Sequence, residues 1–272
     1  MAPVSLELNS LLDQLGQAGR TLSEIGAAEG AAGNLSICFR ESLEFTALFP
    51  KVQNVELPVP VPDLAGATLI VTGSGRRLRD ILDAPTDNLA CIIVERGGRT
   101  GQMFTSYDCP FQRVTSEFNS HLAVHHDQMR SRDIKFHTVL HGQPVYLTFL
   151  SHLTRYQEER YLNRHLLRWQ PEMIFNFPQG LGILPFLIPG SAQLTVETML
   201  ALREHKLVIW SQHGIMARSD DSIFHALDII EYAETAAHYE SLNLMGGDLS
   251  PGLTPNQIQA LAESLHLRQN IF

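Results

Sequence analysis

Histidine and glutamate side chains at three places in the chain are suited to binding a metal ion. His141 and Gln143 lie in the apolar run KFHTVLHGQPVYL, His213 follows the apolar segment LVIW, and Glu117 belongs to the sequence TSE. A catalytic zinc site keeps three protein ligands and one open position, and imidazole and carboxylate groups are common ligands. Most single histidines at strand ends are structural, so a metal site is indicated only if these residues meet in the fold. A carboxylate beside a metal can serve as a ligand or as a base.

The run around His141 has the pattern of a β-strand. Alternate side chains of a strand share one face, so His137, His141 and Gln143 are expected to point the same way. A strand rises about 3.3 Å per residue, which places His137 roughly 13 Å from His141. His137 is therefore too distant to share a metal with His141, and we expect a core or surface role for it.

Three short segments rich in glycine, amide and hydroxyl groups could bind an anion: AGNLS, TGSG and TSE. Each also has a simpler interpretation, as a helix end, a tight turn and a helix N-cap. None matches the GxxxxGK[ST] or GxGxxG patterns of nucleotide sites, so a smaller phosphate is the sharper hypothesis. The glycine, amide and hydroxyl groups that these segments offer belong to Gly33, Asn34, Ser74, Gly75, Thr115 and Ser116.

The elements expected to position these residues are helices and strands in irregular alternation. Leucines at helical spacing predict a first helix, from Leu6 to Leu22, and a second helix is expected to open at Ser116. Further helices are expected at 144–152, 156–168, 193–204 and 221–244, and from Pro255. Strands are expected from Leu35, at Ala67–Val71, at Cys91–Glu95 with a hairpin partner near Met103, at Met173–Phe177 and at Leu207–Trp210. Residues 50–65 hold four prolines and are expected to be a loop.

Length and composition limit the classes of protein to consider. The 272 residues show no internal repeat and no long polar linker, which predicts a single α/β domain over residues 1–272. A net charge of -9 argues against a surface built for nucleic acid, although a local pocket can still hold a small anion. Three cysteines are too few for a disulfide framework and indicate a reducing cytoplasm.

Two further patterns concern export and membranes. The N-terminal segment lacks the basic-then-apolar order of a signal peptide, so we do not expect export. The uncharged run from Met173 to Val196 contains three prolines and three glycines, so we expect no membrane-spanning helix there. Buried loops and short strands, at a subunit interface, are the expected structure of that run.

Taken together, the order AGNLS, TGSG, TSE, HGQ and QHG resembles the class II aldolase/adducin family, from about Gly30 to Met245. The likeness is greatest to the branch that cleaves L-rhamnulose 1-phosphate, because of LIVTGSG, VTSE, FPQGLGILPFLIPG, LVIWSQHG and the late MGG. The resemblance implies a single domain built on a largely antiparallel β-sheet flanked by helices. It also implies a cytoplasmic homotetramer with active sites at subunit interfaces.

The resemblance further implies a lyase of rhamnose metabolism that uses Zn²⁺ as a Lewis acid for aldol cleavage. The products would be dihydroxyacetone phosphate and L-lactaldehyde. By position, His141 and His213 match zinc ligands, and Glu117 matches the acid/base that moves the proton on the dihydroxyacetone phosphate carbon. Glu172 matches a glutamate that reaches into a neighbouring subunit's site. Asn34, Ser74, Gly75, Thr115 and Ser116 match positions that surround the phosphate in the family.

Two positions depart from the family's pattern. Ala31 stands where the branch has an additional asparagine, and Gln143 stands where HxH would supply another histidine ligand. An amide oxygen is a poor zinc ligand, so Gln143 would be a weak one, and another divalent metal or none remains an alternative. Besides the aldolase, two functions therefore stay open: a sugar-phosphate-binding relative with little or no catalysis, and a sugar-phosphate epimerase or dehydratase.

Overall fold

One β-sheet crosses the part of the chain that the computed structural model describes, residues 7–41, 43–269 and 271–272. In those residues its strands are β1 (Asn34–Phe39), β2 (Lys51–Glu56), β3 (Thr68–Thr72), β4 (Leu89–Val94), β5 (Thr100–Thr105), β6 (Phe136–Gly142), β7 (Gly182–Leu184), β8 (Leu207–Trp210) and β9 (Gly214–Ser219). They lie side by side in the order β2-β5-β4-β3-β1-β6-β9-β8-β7. Only β7 and β8 pair in parallel among these strands, which confirms the expected largely antiparallel sheet.

Helices cover the sheet. Those of the described residues are α1 (Leu8–Glu24), α2 (Pro85–Asn88), α3 (Phe118–Ser131), α4 (Val145–Leu150), α5 (Glu159–Leu166), α6 (Pro171–Asn176), α7 (Ala192–Glu204), α8 (Ile223–Met245) and α9 (Pro255–Ser264). The predicted α/β class is confirmed, and Leu6 of the first predicted helix lies outside the described residues. No helix of the described part is long and apolar enough to cross a membrane.

Strand β1 is buried along its whole length because helices pack on both faces of the sheet. Leu35, Ile37 and Phe39 join the large apolar core that also contains the buried faces of α1 and α8. Cys38, on the opposite face, packs in a second core with Phe118 and other apolar residues of α3. The polar side chain of Ser36 shares the Cys38 face, since side chains alternate along a strand.

Antiparallel pairing brings the candidate site residues to one edge of this sheet. Asn34 opens β1 and lies opposite His141 near the end of β6, while β9 begins at Gly214 beside the same end. The backbone N–H of Leu35 donates to Thr72 Oγ1 at 3.0 Å, and the Thr72 hydroxyl donates to the Leu35 carbonyl at 3.1 Å. Four strand ends are thus held together, although the chain visits them far apart in sequence.

Two sequence predictions about individual elements are wrong. Residues 51–56, expected to be part of a loop, form the edge strand β2, which is almost wholly exposed and so lacks the apolar alternation that marks a buried strand. Residues 173–177, expected to be a strand, belong mostly to helix α6. Pro171 lies in its first turn, and Met173, Ile174 and Phe177 are buried at a helical spacing.

Candidate active site

A pocket of about 180 Å³ opens at the sheet edge where the four strands end. Its walls come from the loop before β1, the loop after β3, the start of α3, the end of β6 and the β8–β9 turn. The predicted site residues in its lining are Gly33, Asn34, Ser74, Gly75, Thr115, Ser116, Glu117, His141, Gln143 and His213. The predicted residues that were far apart in sequence therefore share one cavity, with Glu172 as the exception.

Glu117, His141 and His213 bring three metal-binding atoms to one point of the pocket. One ligand atom from each residue lies within 4.8 Å of the others. Glu117 Oε2 is 3.2 Å from His141 Nε2, and Glu117 Oε1 is 3.5 Å from His213 Nε2. Glu117 is the residue directly before α3, so the helix start carries the carboxylate to the two strand-end histidines.

The backbone fixes which nitrogen of His141 faces the carboxylate. His141 Nδ1 lies 2.8 Å from the carbonyl oxygen of Ile215, which can only accept a hydrogen bond, so Nδ1 carries the proton. The Nε2 lone pair then points at Glu117. The ring is held in this orientation by stacking on Trp210, with 4.8 Å between the ring centroids. A histidine oriented by a backbone carbonyl in this way is typical of metal ligands.

The charges of the three groups call for a cation or proton between them. Burial opposes ionisation of Glu117, but positive charge on His141, an amide hydrogen bond from Asn34 and positive charge on His213 favour the carboxylate, so its pKa lies below the usual range. Asn34 Nδ2 donates to Glu117 Oε2 at 2.8 Å. Burial lowers the pKa of His213, which keeps its lone pair free at neutral pH. If both imidazoles are neutral and turn their Nε2 lone pairs to the carboxylate, the three groups repel one another, so this donor set fits a divalent cation.

Hydrogen-bond donors without a protein acceptor also line the pocket. Among the described residues, we find no acceptor for the backbone N–H of Gly75 or Ser116, or for the hydroxyls of Ser74 and Ser116. Arg76 adds a positive charge beside them, and its Nε donates to Asn88 Oδ1 at 3.0 Å. Ser116 also lies at the N-terminal end of α3, where the helix dipole favours an anion. These donors can hold a phosphate group.

Close backbone approach explains the glycine of the QHG segment. A Cβ on Gly214 would lie 2.4 Å from the carbonyl oxygen of Gly142 and 3.1 Å from Cγ of Gln143. Only glycine lets the β8–β9 turn approach β6 so closely, and this approach brings His213 beside His141. The Gln143 side chain packs against the same turn and lines the pocket, so its place in the cavity agrees with the strand alternation. Its role as a weak ligand stays a prediction.

Two predicted residues lie elsewhere. Glu172 is exposed in the first turn of α6 and does not line the pocket. His137 is fully buried, so of its two expected roles the core is correct, but it contacts a polar side chain of α3. The sequence places Arg76 directly after the TGSG loop, but neither Arg76 nor His121 was predicted to be a site residue. The signal for His121 was its spacing of four residues from Glu117, which places both side chains on one face of α3.

Comparison with known proteins assigns this chain to a family. The family model described as "Class II Aldolase and Adducin N-terminal domain" matches residues 13–240, and the chain belongs to that family. Within it, the chain is similar to the protein named rhamnulose-1-phosphate aldolase of Listeria monocytogenes serotype 4b, with 27% identity over 260 residues, 93% of this chain and 92% of the relative. The protein of the same name from Enterococcus faecalis is 28% identical, covering 93% of this chain and 90% of the relative.

Solved structures agree with this assignment. A sugar-phosphate aldolase from Thermotoga maritima has a TM-score of 0.76 and 25% identity, covering 90% of this chain and 99% of its own. An L-fuculose 1-phosphate aldolase has a TM-score of 0.57 at 18% identity, covering 95% of this chain and 97% of its own, and that likeness concerns the fold alone. The resemblance first read from the motifs is therefore confirmed.

Proposed function

We propose that the protein is a metal-dependent aldolase that cleaves L-rhamnulose 1-phosphate to dihydroxyacetone phosphate and L-lactaldehyde. The observation that carries this proposal is the convergence of Glu117, His141 and His213 in the same small cavity as the unused donors of Ser74, Gly75 and Ser116. A ketose 1-phosphate needs both sets of groups, one for its phosphate and one for its carbonyl and hydroxyl oxygens.

The residues of this chain have distinct tasks in the proposed reaction. In the direction of synthesis, the Glu117 carboxylate removes a proton from C3 of dihydroxyacetone phosphate. The electron pair left on C3 forms the bond to the aldehyde carbon, and the aldehyde oxygen receives a proton from an acid. Cleavage runs through the same steps in reverse. Asn34 holds Glu117 Oε2, so the carboxylate keeps one orientation towards the substrate.

The histidines would hold the metal. His141 and His213 present Nε2 atoms beside Glu117, and Gln143 adds an amide oxygen at the same wall. A divalent cation bound there would act as a Lewis acid for the charge that develops on the substrate oxygens. We further propose a homotetramer in which Glu172 of a neighbouring subunit supplies the acid for the aldehyde oxygen. The exposed position of Glu172 on α6, near the exposed Phe175, supports that arrangement.

Removal of the metal tests the proposal. We expect the purified protein to release dihydroxyacetone phosphate from L-rhamnulose 1-phosphate. Treatment with a chelator should stop this cleavage, and the addition of a divalent cation should restore it. Unphosphorylated L-rhamnulose is the matched control, because it lacks the group that the Ser74 and Ser116 donors would bind. Turnover that persists at full rate in the chelated protein contradicts the metal-dependent aldolase.

A second candidate is a sugar-phosphate-binding relative with little catalysis. Gln143 is the observation that favours it, because an amide replaces an imidazole at the wall of the metal site. Tight binding of the sugar phosphate without cleavage under every metal condition would support this candidate over the aldolase.

Gly33 offers a test of phosphate binding. Its φ of +79° is unfavourable for other residues, and a Cβ there would lie 3.0 Å from the His141 carbonyl oxygen. Gly66 is the matched control, because its φ is +83° and a Cβ there meets nothing within 4 Å. We expect both alanine variants to lose about 1–2 kcal/mol of stability from the left-handed backbone.

Only Gly33→Ala should also raise KM for the phosphorylated ketose, on the order of tenfold, because it alone moves the pocket wall. Thermal unfolding and steady-state kinetics measure the two effects. An equal KM in the two variants would show that the AGNLS loop does not bind the substrate.

A further inference from the structure

A row of buried polar side chains leads away from the pocket through the core between α3 and the sheet. It consists of Ser36 on β1, His121 and His125 on α3, and His137 on β6, each with 0% exposure. The metal-binding atoms of the proposed site do not include any of them. Buried polar groups carry a cost unless they are hydrogen-bonded, so a continuous row in the core needs an explanation.

The first half of the row joins Glu117 to Ser36. Asn34 Nδ2 lies 2.8 Å from Glu117 Oε2, and Asn34 Oδ1 makes a short hydrogen bond with His121 Nε2. His121 Nδ1 is 2.7 Å from Ser36 Oγ. Glu117 and His121 are four residues apart, so one face of α3 carries both ends of this segment.

The second half joins Ser36 to His137. Ser36 Oγ is 2.7 Å from His125 Nε2, and His125 Nδ1 is 2.7 Å from His137 Nδ1. Beyond this contact, His137 Nε2 has no hydrogen-bond partner among the described residues. The Asp220 carboxylate, with Oδ1 at 3.9 Å, has no proton to donate, and Arg218 and Arg132 place positive charge near His137.

Chemistry allows one direction for these hydrogen bonds if the imidazoles are neutral. An ionised carboxylate only accepts, so the Asn34 NH₂ must face Glu117 and its carbonyl oxygen must face His121. His121 then donates from Nε2 and accepts at Nδ1, which requires the Ser36 hydroxyl to donate to it.

The positions of the remaining protons follow from the same rule, that each neutral imidazole donates from one nitrogen and accepts at the other. With its hydroxyl proton used, Ser36 accepts from His125 Nε2, and His125 Nδ1 accepts from His137 Nδ1. The bare Nε2 of His137 agrees with this end of the row, since a neutral imidazole with its proton on Nδ1 has nothing to donate there. Burial lowers the pKa of His121 to about 3 and lowers the pKa values of His125 and His137 well below the usual range, so all three are neutral at pH 7.

We infer that Ser36, His121, His125 and His137 form a one-way hydrogen-bonded chain that holds Asn34 with its NH₂ group towards the active site. Every bond in the chain donates in the direction of Glu117, so the bonds polarise one another in the same sense. Asn34 thereby offers one N–H to the carboxylate and keeps its second N–H for an acceptor in the pocket. A flipped amide would put its carbonyl oxygen against both the carboxylate and an anionic ligand.

The chain is a positioning device and does not carry protons to Glu117. A side-chain amide does not pass a proton from its oxygen to its nitrogen in the way that an imidazole passes one between its nitrogens, so transfer stops at Asn34. The effect on catalysis, unlike the chain itself, rests on the proposed aldolase function.

Nitrogen NMR of ¹⁵N-histidine-labelled protein tests the chain without any substrate. At pH 7 we expect His121 and His125 to carry their protons on Nε2 and His137 on Nδ1, each signal being assigned by its loss in the corresponding single His→Gln variant. An imidazolium, or the opposite tautomer at any of the three positions, would overturn the inference even if the protein proves to be an aldolase.

Replacement of Ser36 tests the consequence for the site. Ser36→Ala removes the central hydroxyl with little change in volume, so we expect the His121 tautomer to become mixed and kcat for the ketose phosphate to fall about tenfold or more. Ser36→Thr keeps the hydroxyl and should restore both the single His121 tautomer and kcat. Thr138→Val is the control, because Thr138 is fully buried next to His137 and its hydroxyl has no partner among the described residues.

The outcomes of this experiment separate the two proposals. A folded Ser36→Ala variant with wild-type tautomers and unchanged kcat and KM overturns the positioning chain. A wild type that shows the expected tautomers but cleaves no ketose phosphate leaves the chain standing and removes the aldolase.

Discussion

Replacing Glu117 with glutamine is expected to lower kcat for ketose phosphate cleavage by about 10²–10⁴-fold, the usual contribution of a general acid or base. Glutamine has nearly the same size as glutamate, and its carbonyl oxygen can still accept the hydrogen bond from Asn34. The fold should therefore survive, while the group that exchanges a proton with C3 is lost. Kinetics at saturating substrate, together with circular dichroism, measure the two properties.

The metal content of the Glu117→Gln protein separates the two roles of the carboxylate. If the metal remains while kcat falls, Glu117 acts as the base; if the metal is lost as well, the carboxylate is also a ligand. Glu56→Gln serves as a control, because Glu56 is exposed on the edge strand β2, away from the pocket. A Glu117→Gln enzyme with wild-type kcat would remove the proposed mechanism.

Replacing Gln143 with histidine is expected to tighten zinc binding by on the order of tenfold or more, about 1.4 kcal/mol. Gln143 lines the pocket beside His141 and His213, and an imidazole there would replace a weak amide ligand with one that zinc prefers. Metal analysis of the purified proteins and titration with Zn²⁺ measure this change. Gln53→His, an exposed change on β2, controls for zinc held by any added surface histidine.

Cleavage rates of the wild type and of Gln143→His decide whether a glutamine at this position is compatible with catalysis. If the wild type holds its metal and cleaves the substrate efficiently, the site works with Glu117, His141 and His213 as its ligands. If only Gln143→His gains both properties, the natural protein belongs with the non-catalytic relatives. Equal zinc affinity in Gln143→His and the wild type would show that the side chain at this position does not reach the metal.

Much of the fold follows from local patterns, and the exceptions have physical causes. Strands such as β3 and β8 are buried along their whole length and therefore have apolar runs in the sequence, and most of the longer helices show clear helical spacing. Strand β2 was missed because an exposed edge strand needs no apolar face. Helix α6 was mistaken for a strand because six residues with three apolar side chains are too short for periodicity to separate the two structures.

The candidate site was likewise predicted in part from the sequence. Glu117, His141 and His213 could be named from the sequence because TSE, HGQ and QHG, taken in order, resemble the family's pattern, although no single motif is specific. The distances between these three residues could not be predicted. They depend on the antiparallel register that sets Asn34 opposite His141, and on the absence of a side chain at Gly214, which lets the β8–β9 turn approach β6.

The sequence by itself determined the family, the types of groups available for metal and phosphate, and the departure at Gln143, because each is a property of local residue order. Only the tertiary structure decided the place of His137, which changed from an isolated strand residue to the far end of a buried row that leads to Glu117. Hydrogen bonds between β1, α3 and β6 join residues up to 89 positions apart, and no local pattern records which of them meet. Packing of α3 against the sheet brings them together, and the single proton on each neutral imidazole then sets their direction.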